Sequence, residues 1–257
     1  MNIIVYIKQT FDTEAKIVLD GSGKIDANGV NLIINPYDEY AIEEGIKLKE
    51  KLGGEVTVVS IGGARAQEAI RTALAMGADK GVLVSDPALE NADEWANAEA
   101  LAKAIAKMPC DIVIAGRIAI DDGASQIGVR LAEILNVPSI SSILKLDVTG
   151  THVTATREID GGTETIEAEL PLVLTAQKGL NEPRYPSVAG IMKAKKKPIQ
   201  TLTLADLGLS AGDLAPKMSV QKYSLPEARK AGQKIPGEAA QAAKELARLL
   251  REEAKIL

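Results

Sequence analysis

The chain has one cysteine, Cys110, and one histidine, His152, in 257 residues. A single cysteine forms no internal disulfide, and a cysteine-rich zinc or iron–sulfur site cannot be built from this chain alone. His152 stands in an alternating Thr/Val stretch, where it reads as a strand residue facing solvent. Scarce histidine and cysteine remove the commonest general acids, bases and nucleophiles. That tilts the chain toward binding or electron transfer. Aromatic residues are only 3%, so the core must be built from Ala, Val, Ile and Leu. No basic excess exists: the formal net charge is −5, which gives no bulk attraction to nucleic acid or anionic membrane. No apolar run reaches the roughly 18 residues of a membrane-spanning helix. The opening MNIIVYIKQT reads as a first core strand, not a signal peptide. The expected location is the cytoplasm, with no part embedded in a membrane.

The chain is long enough for one α/β domain with an extension, or two small domains. IIVYI (3–7) suits a buried strand. Residues 11–31 are polar and Gly-rich and read as a loop with a small hairpin. Asn35-Pro36 predicts a helix start, with Asn35 as N-cap and Pro36 in the first turn. Asp38 favours that helix end electrostatically. Tyr37, Tyr40, Ala41, Leu48 and Leu52 share a face, Glu43 and Lys47 make an outer i,i+4 pair, and Gly53-Gly54 ends the helix. The alternation continues with a strand at 55–61, a helix ending at Gly77, a strand at 81–85, a helix over 93–108, a strand at 111–116 and a helix over 123–135. Alternating strands and helices predict an α/β fold: an open, mostly parallel sheet with helices on both faces. After residue 140, LKLDV, HVTATREI and TETIEAEL predict a small antiparallel addition. PLVLTA (171–176) returns to the main sheet. The remainder reads as an extended arm ending in a helix over 236–256, with Ala240, Ala243, Leu246, Leu249 and Leu250 on one stripe.

DGSGK (20–24) lacks the upstream Gly and downstream Ser/Thr of a phosphate loop, and no Gly-x-Gly-x-x-Gly follows a strand. Gly21 and Gly23 read as a turn. Ligands of open α/β sheets sit outside the carboxyl ends of the strands. Three loops meet there: Tyr6 to Lys8, Asn35 to Asp38, and Gly116 to Gln126. The third ends at a helix N-terminus, where free N–H groups favour an anion. Gly123 and Ser125 allow close approach of a phosphate, Arg117 supplies charge and Asp121 can hold a ribose hydroxyl. An equal alternative is that Asp121 and Asp122 only cap the helix. Arg157 to Thr165 reads as a charged hairpin turn. Leu180 sits among Asn181, Glu182, Pro183, Arg184, Tyr185 and Pro186, which is poor core material and good docking material. Lys193, Lys195, Lys196 and Lys197 read as a solvated face or as a contact to the pyrophosphate of a cofactor shared with another chain.

REIDGGTETIEAELPLVLTA (157–176) resembles the signature of the beta subunit of electron-transfer flavoproteins. LNEPRYPSVAGIMKAKKKPI (180–199) resembles the segment that follows it in that family. AIRTALAMGADKGVLV (69–84) and AIDDGASQIG (119–128) fit the same family, and the likeness runs in order over about residues 1–205. The resemblance implies an adenine-nucleotide alpha hydrolase-like fold and a heterodimer with a larger alpha subunit that holds most of an FAD. It implies an electron carrier with no catalytic residue and no metal. Electrons would come from dehydrogenases such as the acyl-CoA dehydrogenases of fatty acid beta-oxidation and pass to a membrane-bound or soluble acceptor. A structural AMP is implied at Tyr6, Asn35, Pro36, Tyr37, Asp38, Ile61, Ala115, Gly116, Arg117, Ile120, Asp121, Asp122, Gly123, Ala124, Ser125, Gln126, Ile127 and Gly128. Arg184 and Tyr185 fall in the shared FAD region. A recognition loop over about 178–190 would dock the dehydrogenase through Leu180 as anchor, with Asn181, Glu182 and Pro183 beside it. The implied division is an α/β nucleotide-binding domain over 1–190 and an arm over 191–257 that packs on the alpha subunit.

Electron-bifurcating relatives carry a second FAD in place of AMP. Residues 35–40, Leu83 to Asp86 and Ala92-Asp93 resemble that branch. Arg157–Gly162 and Asn181–Tyr185 resemble the AMP type over a longer run, which favours AMP. A nucleotide-binding regulatory domain without redox role is a third reading. It leaves the motifs between Arg157 and Lys197 without a purpose.

Overall fold

A computed structural model of the chain describes residues 1–229 and 231–257. Within it, β1 (Asn2–Ile7), β2 (Gln9–Phe11) and β3 (Leu32–Ile34) lead into α1 (Pro36–Leu52). Then come β4 (Glu55–Ile61), α2 (Ala66–Met76), β5 (Lys80–Val84), α3 (Glu94–Ile105), β6 (Ile112–Gly116) and α4 (Ile127–Leu135). Next are β7 (Ser139–Thr149), β8 (His152–Ile159), β9 (Gly162–Glu169), β10 (Leu172–Ala176), α5 (Val188–Ala194), β11 (Ile199–Leu202) and α6 (Ala239–Glu252).

The main sheet has nine strands in the order β11-β5-β4-β1-β6-β10-β7-β8-β9. Every pair from β11 to β7 is parallel, and β7, β8 and β9 pair antiparallel. β2 and β3 form a separate antiparallel ribbon. The α/β architecture, the antiparallel addition and the return of PLVLTA to the main sheet are therefore as expected. His152 is exposed, with Nδ1 3.2 Å from Glu169 Oε1.

Alternation along β1 sorts the core. Ile3, Val5 and Ile7 point to the layer that holds α1, α2 and α5. Ile4 and Tyr6 point to the opposite layer, which holds α3, α4 and the segment around Leu204, Leu207 and Leu214. Few of these side chains are aromatic, so close packing of Ile, Val, Leu and Ala carries the core. Each fully buried Ile or Leu contributes about 1.5–3 kcal/mol.

Helix ends follow the local chemistry. Gly53 closes α1 at φ 74° and Gly77 closes α2 at φ 146°. Asp93 caps α3 through Ala96 N–H. Asn136 closes α4 in the left-handed region, φ 54° and ψ 48°.

Several expectations need correction. Asn35 stands at the N-cap position of α1, but its side chain makes no capping bond; it is committed elsewhere, as described below. The helix expected over 123–135 begins at Ile127, because Gly123 (φ 67°) and Ser125 (φ 54°) take left-handed conformations that a helix excludes. Glu43 does not pair with Lys47 on the outside: Glu43 is buried and bonded to Arg184, while Lys47 reaches Glu44. β11 is a strand of the main sheet beside β5, and one compact unit comprises Met1–Ile17 with Asp26–Gln221. A second unit comprises Val18–Ile25 with Lys222–Leu257. It contains α6 and a single bridge between Leu19 and Ile25.

Candidate functional site

The chain leaves β1, crosses to β4 on one side, and later returns to place β6 on β1's other side. The strand order reverses there, which opens a crevice at the carboxyl edge between β1 and β6. A cavity of about 270 Å³ lies there. Of the expected residues, Tyr6, Asn35, Asp38, Ile61, Ala115, Gly116, Arg117, Asp122, Ala124, Ser125, Gln126, Ile127 and Gly128 line it. Pro36, Tyr37, Ile120, Asp121 and Gly123 are not among the lining residues.

Asp38 is the hub. Its Oδ2 accepts from Lys8 N–H at 2.7 Å, and its Oδ1 accepts from Gly116 N–H at 3.0 Å and Asn35 Nδ2 at 3.0 Å. One carboxylate thus ties together the ends of β1 and β6 and the start of α1. Burial pushes this carboxyl up to about 7, against the pull of its N–H donors. Gly116 has no side chain because a Cβ there would overlap Asp38 Oδ1. Asn35 completes the clamp: Nδ2 also donates to Ile118 O (2.9 Å), and Oδ1 accepts from Ile120 N–H (3.2 Å). Its amide is spent on holding the 117–121 loop in place.

Lys8 Nζ donates to Asp121 Oδ1 at 2.8 Å and Asp122 Oδ2 at 2.6 Å. Burial pulls the ammonium down, but its two carboxylate partners outweigh that and hold it above the ordinary lysine value. Neither aspartate caps α4, since Gln126 holds the N-cap position. Tyr6 is buried among these groups, and burial together with Asp38 raises its hydroxyl far above its ordinary value, so it stays protonated.

Arg117 is half-buried, its guanidinium 5.9 Å from the centre of the Tyr37 ring. Its Nε is sealed from solvent and has no hydrogen-bond partner in the protein. An unpaired buried donor is costly and calls for an acceptor. Ile127 and Gly128 at the start of α4 line the same cavity, and Gly128 is fixed because a Cβ there would overlap Thr175 Cγ2. The arrangement can take an anion beside Arg117 and a flat or polyhydroxylated group beside Tyr6 and Ile61.

Lys8, at the end of the first expected loop, also lines the cavity, and Glu90, Glu94 and Asn97 line it without having been expected. The signal was present, because the loop after β5 ends at the same carboxyl edge as those after β1 and β6. A larger cavity of about 610 Å³, lined by Asn2, Glu55, Lys80, Met108 and Gln200 among others, lies at the amino edge. Its Glu55–Lys80 ion pair is self-satisfied at 2.7 Å, and ligands of open α/β sheets bind at the other end.

In the 178–190 loop, the expected anchor Leu180 is buried in the core of this chain. Asn181 Nδ2 donates to Tyr40 O and Glu44 Oε2 at 3.0 and 2.9 Å. Arg184 is held by Glu43 (Nε, 2.8 Å) and Glu50 (Nη1, 2.7 Å), and these carboxylates raise it above the ordinary arginine value. Its charge is therefore neutralised within the chain. Tyr185 is 94% exposed and Val188 81%, with Met192 and Ile191 also exposed. In the lysine run, Lys197 turns inward and donates to the carbonyls of Leu74 and Ala78 at the end of α2. Lys193, Lys195 and Lys196 stay exposed.

A nine-stranded, mostly parallel sheet with a polar crevice at its switch point defines an open α/β protein. The family model described as the electron transfer flavoprotein domain matches residues 22–207. The chain is 49% identical to the electron transfer flavoprotein subunit beta of Bacillus subtilis, covering 100% of each sequence. It is 48% identical to that of Syntrophomonas wolfei over 100% of this chain and 98% of the relative. It is 42% identical to the human protein over 91% of this chain and 92% of the relative. The chain belongs to the beta-subunit family of electron transfer flavoproteins.

Proposed function

We propose that this chain is the beta half of an electron-carrying heterodimer, sharing an FAD with an alpha subunit and holding AMP in the β1–β6 crevice. It is a carrier subunit with no reaction of its own. The observation that carries the AMP reading is the unpaired buried Nε of Arg117, a residue that lines the crevice at the switch point. Size supports the smaller nucleotide: about 270 Å³ lies below the roughly 300–1,000 Å³ of drug-sized ligand sites, which suits a mononucleotide better than a dinucleotide. Arg117 and the first amides of α4 would hold the phosphate, and Tyr6, Ile61 and Ala115 would flank the rest. Asp38 and Asn35 hold the walls apart without spending their bonds on the ligand.

When bound, the shared flavin supplies the redox chemistry. This chain's part is to cover it and to present a docking face. Tyr185 is free to meet the cofactor or a partner, whereas Arg184 is committed to Glu43 and Glu50. The exposed apolar set of Tyr185, Val188, Ile191 and Met192 takes the docking role first assigned to Leu180. A small apolar anchor of this kind gives recognition without tight binding, which suits a carrier that docks on an acyl-CoA dehydrogenase or similar donor and leaves. The residues after Gln221 pack on the alpha subunit.

Acid extraction of the purified heterodimer tests the cofactor reading: one FAD and one AMP are expected. Two FAD and no AMP would instead establish a bifurcating subunit. Arg117→Ala is expected to cut co-purifying AMP about tenfold or more, the worth of one charged hydrogen bond, with FAD unchanged. An unaltered AMP content would remove Arg117 from the site.

A further inference from the structure

We infer that Glu43 and Glu50 of α1 are positioning residues for the docking face, acting through Arg184. The inference rests on the docking role proposed above for Tyr185 and Val188. Arg184 makes a fork onto two carboxylates at once. Its Nε and Nη2 reach Glu43 at 2.8 and 2.9 Å, its Nη1 and Nη2 reach Glu50 at 2.7 and 3.0 Å, and its backbone N–H reaches Glu43 at 3.1 Å. Side chain and main chain of one residue are thus fixed by the same buried carboxylate. Three residues earlier, Asn181 bonds Glu44 and the carbonyl of Tyr40 on the same helix. Leu180 sinks into the core beside it.

The far side of the loop is fixed independently. Ser187 caps α5 through Gly190 N–H at 3.0 Å. Gly190 lies so close to Ala75 that a Cβ would overlap its carbonyl oxygen. Arg71 Nη1 holds the carbonyls of Ala194 and Lys197 at 2.6 and 2.7 Å. Between the two clamps only Tyr185 and Pro186 lack an anchor of this kind, and there the chain turns Tyr185 and Val188 outward. A loop pinned at both ends presents its apolar side chains in one orientation and leaves little ordering entropy to be lost on docking. The buried carboxylate is the stronger half of the fork, since Glu43 is 6% exposed and Glu50 54%.

The test uses the purified heterodimer with substrate-reduced acyl-CoA dehydrogenase as donor. Glu43→Gln keeps the shape of the side chain but removes its charge and faces Arg184 with an NH₂ group. It is expected to speed amide exchange over 182–187 about tenfold, and to raise the KM for the donor about tenfold. The maximal transfer rate and the FAD content should stay within twofold. Glu50→Gln should move both readouts in the same direction by less. Arg184→Lys keeps one charge but bridges only one carboxylate, and it serves where Glu43→Gln fails to fold. Unchanged exchange, or faster exchange with an unchanged KM, would overturn the positioning role. Val188→Asp separates the underlying reading: if it leaves the KM unaltered, this face does not dock the donor. If Val188→Asp raises the KM and the Glu43 and Arg184 variants do not, docking stands and the positioning inference falls.

Discussion

Asp38 carries an ionisable group at a place water hardly reaches, 3% exposed. Three N–H donors satisfy its oxygens, yet burial still pushes the carboxyl up to about 7, against about 3.9 in an unfolded chain. Below about pH 4 both states hold the proton, and between about 4 and 7 only the folded state does. Stability contributed by this group is therefore lost as pH rises through that window, by about 2–4 kcal/mol. In Asp38→Asn this component is absent. Urea midpoints measured from pH 4.5 to 7.5 should fall for the wild type relative to the variant. Parallel curves would mean that the donors keep the carboxylate ionised throughout. Gly128 gives a second test at this scale. Gly128→Ala places a methyl group against Thr175 and should cost about 1–3 kcal/mol in urea unfolding through overpacking. The carboxyl-edge rule made most of the cavity lining legible from sequence. The roles were less legible, because Asn35 and Asp38 look like helix-start residues and act as cross-links between loops distant in sequence. The burial of Leu180 was illegible for a related reason: its neighbours in sequence are polar, but the backbone turns it inward.

At the scale of elements, periods of 2 and 3.6 revealed the strands and helices that bury one or two full faces. β1, β4, β5, β6 and β10 are short apolar runs, and α1 to α4 carry recognisable ends. α5 and β11 were not legible. α5 has seven residues with a glycine inside, and that glycine is needed for close approach to Ala75. β11 has four residues, and it is a strand because β5, more than a hundred positions earlier, offers it a free edge. Tertiary pairing decides such elements, and propensity does not. Lys197 belongs to this scale too. Its ammonium meets the carbonyl of Leu74 in the last turn of α2 and that of Ala78 just beyond it, where a cation is favoured by the helix dipole. Lys197→Met should lower stability by about 1 kcal/mol, read as a lower urea midpoint. Lys195→Ala and Lys196→Ala should leave the midpoint in place, since those side chains are exposed.

The whole chain divides into two unequal units, and the smaller one raises the question of what orders it. α6 runs from Ala239 to Glu252 and none of its residues is buried. Its apolar positions, Ala240, Ala243, Leu246, Leu249 and Leu250, recur at helical spacing, while Arg248 pairs with Glu245 and Glu252 on the polar side. A helix of fourteen residues is marginal in water without a packed face. The function proposed above sets this stripe against the alpha subunit. The larger unit contains every strand of the main sheet, the crevice and the 178–190 loop, and it ends at Gln221. A chain stopped after Gln221 should therefore unfold cooperatively with a urea midpoint near that of the full chain. Its capture by immobilised alpha subunit should drop about tenfold or more, because burying even one leucine of the stripe is worth that factor. Equal capture by the two chains would take the arm out of the interface. A collapsed midpoint would show instead that residues 222–257 stabilise the larger unit directly.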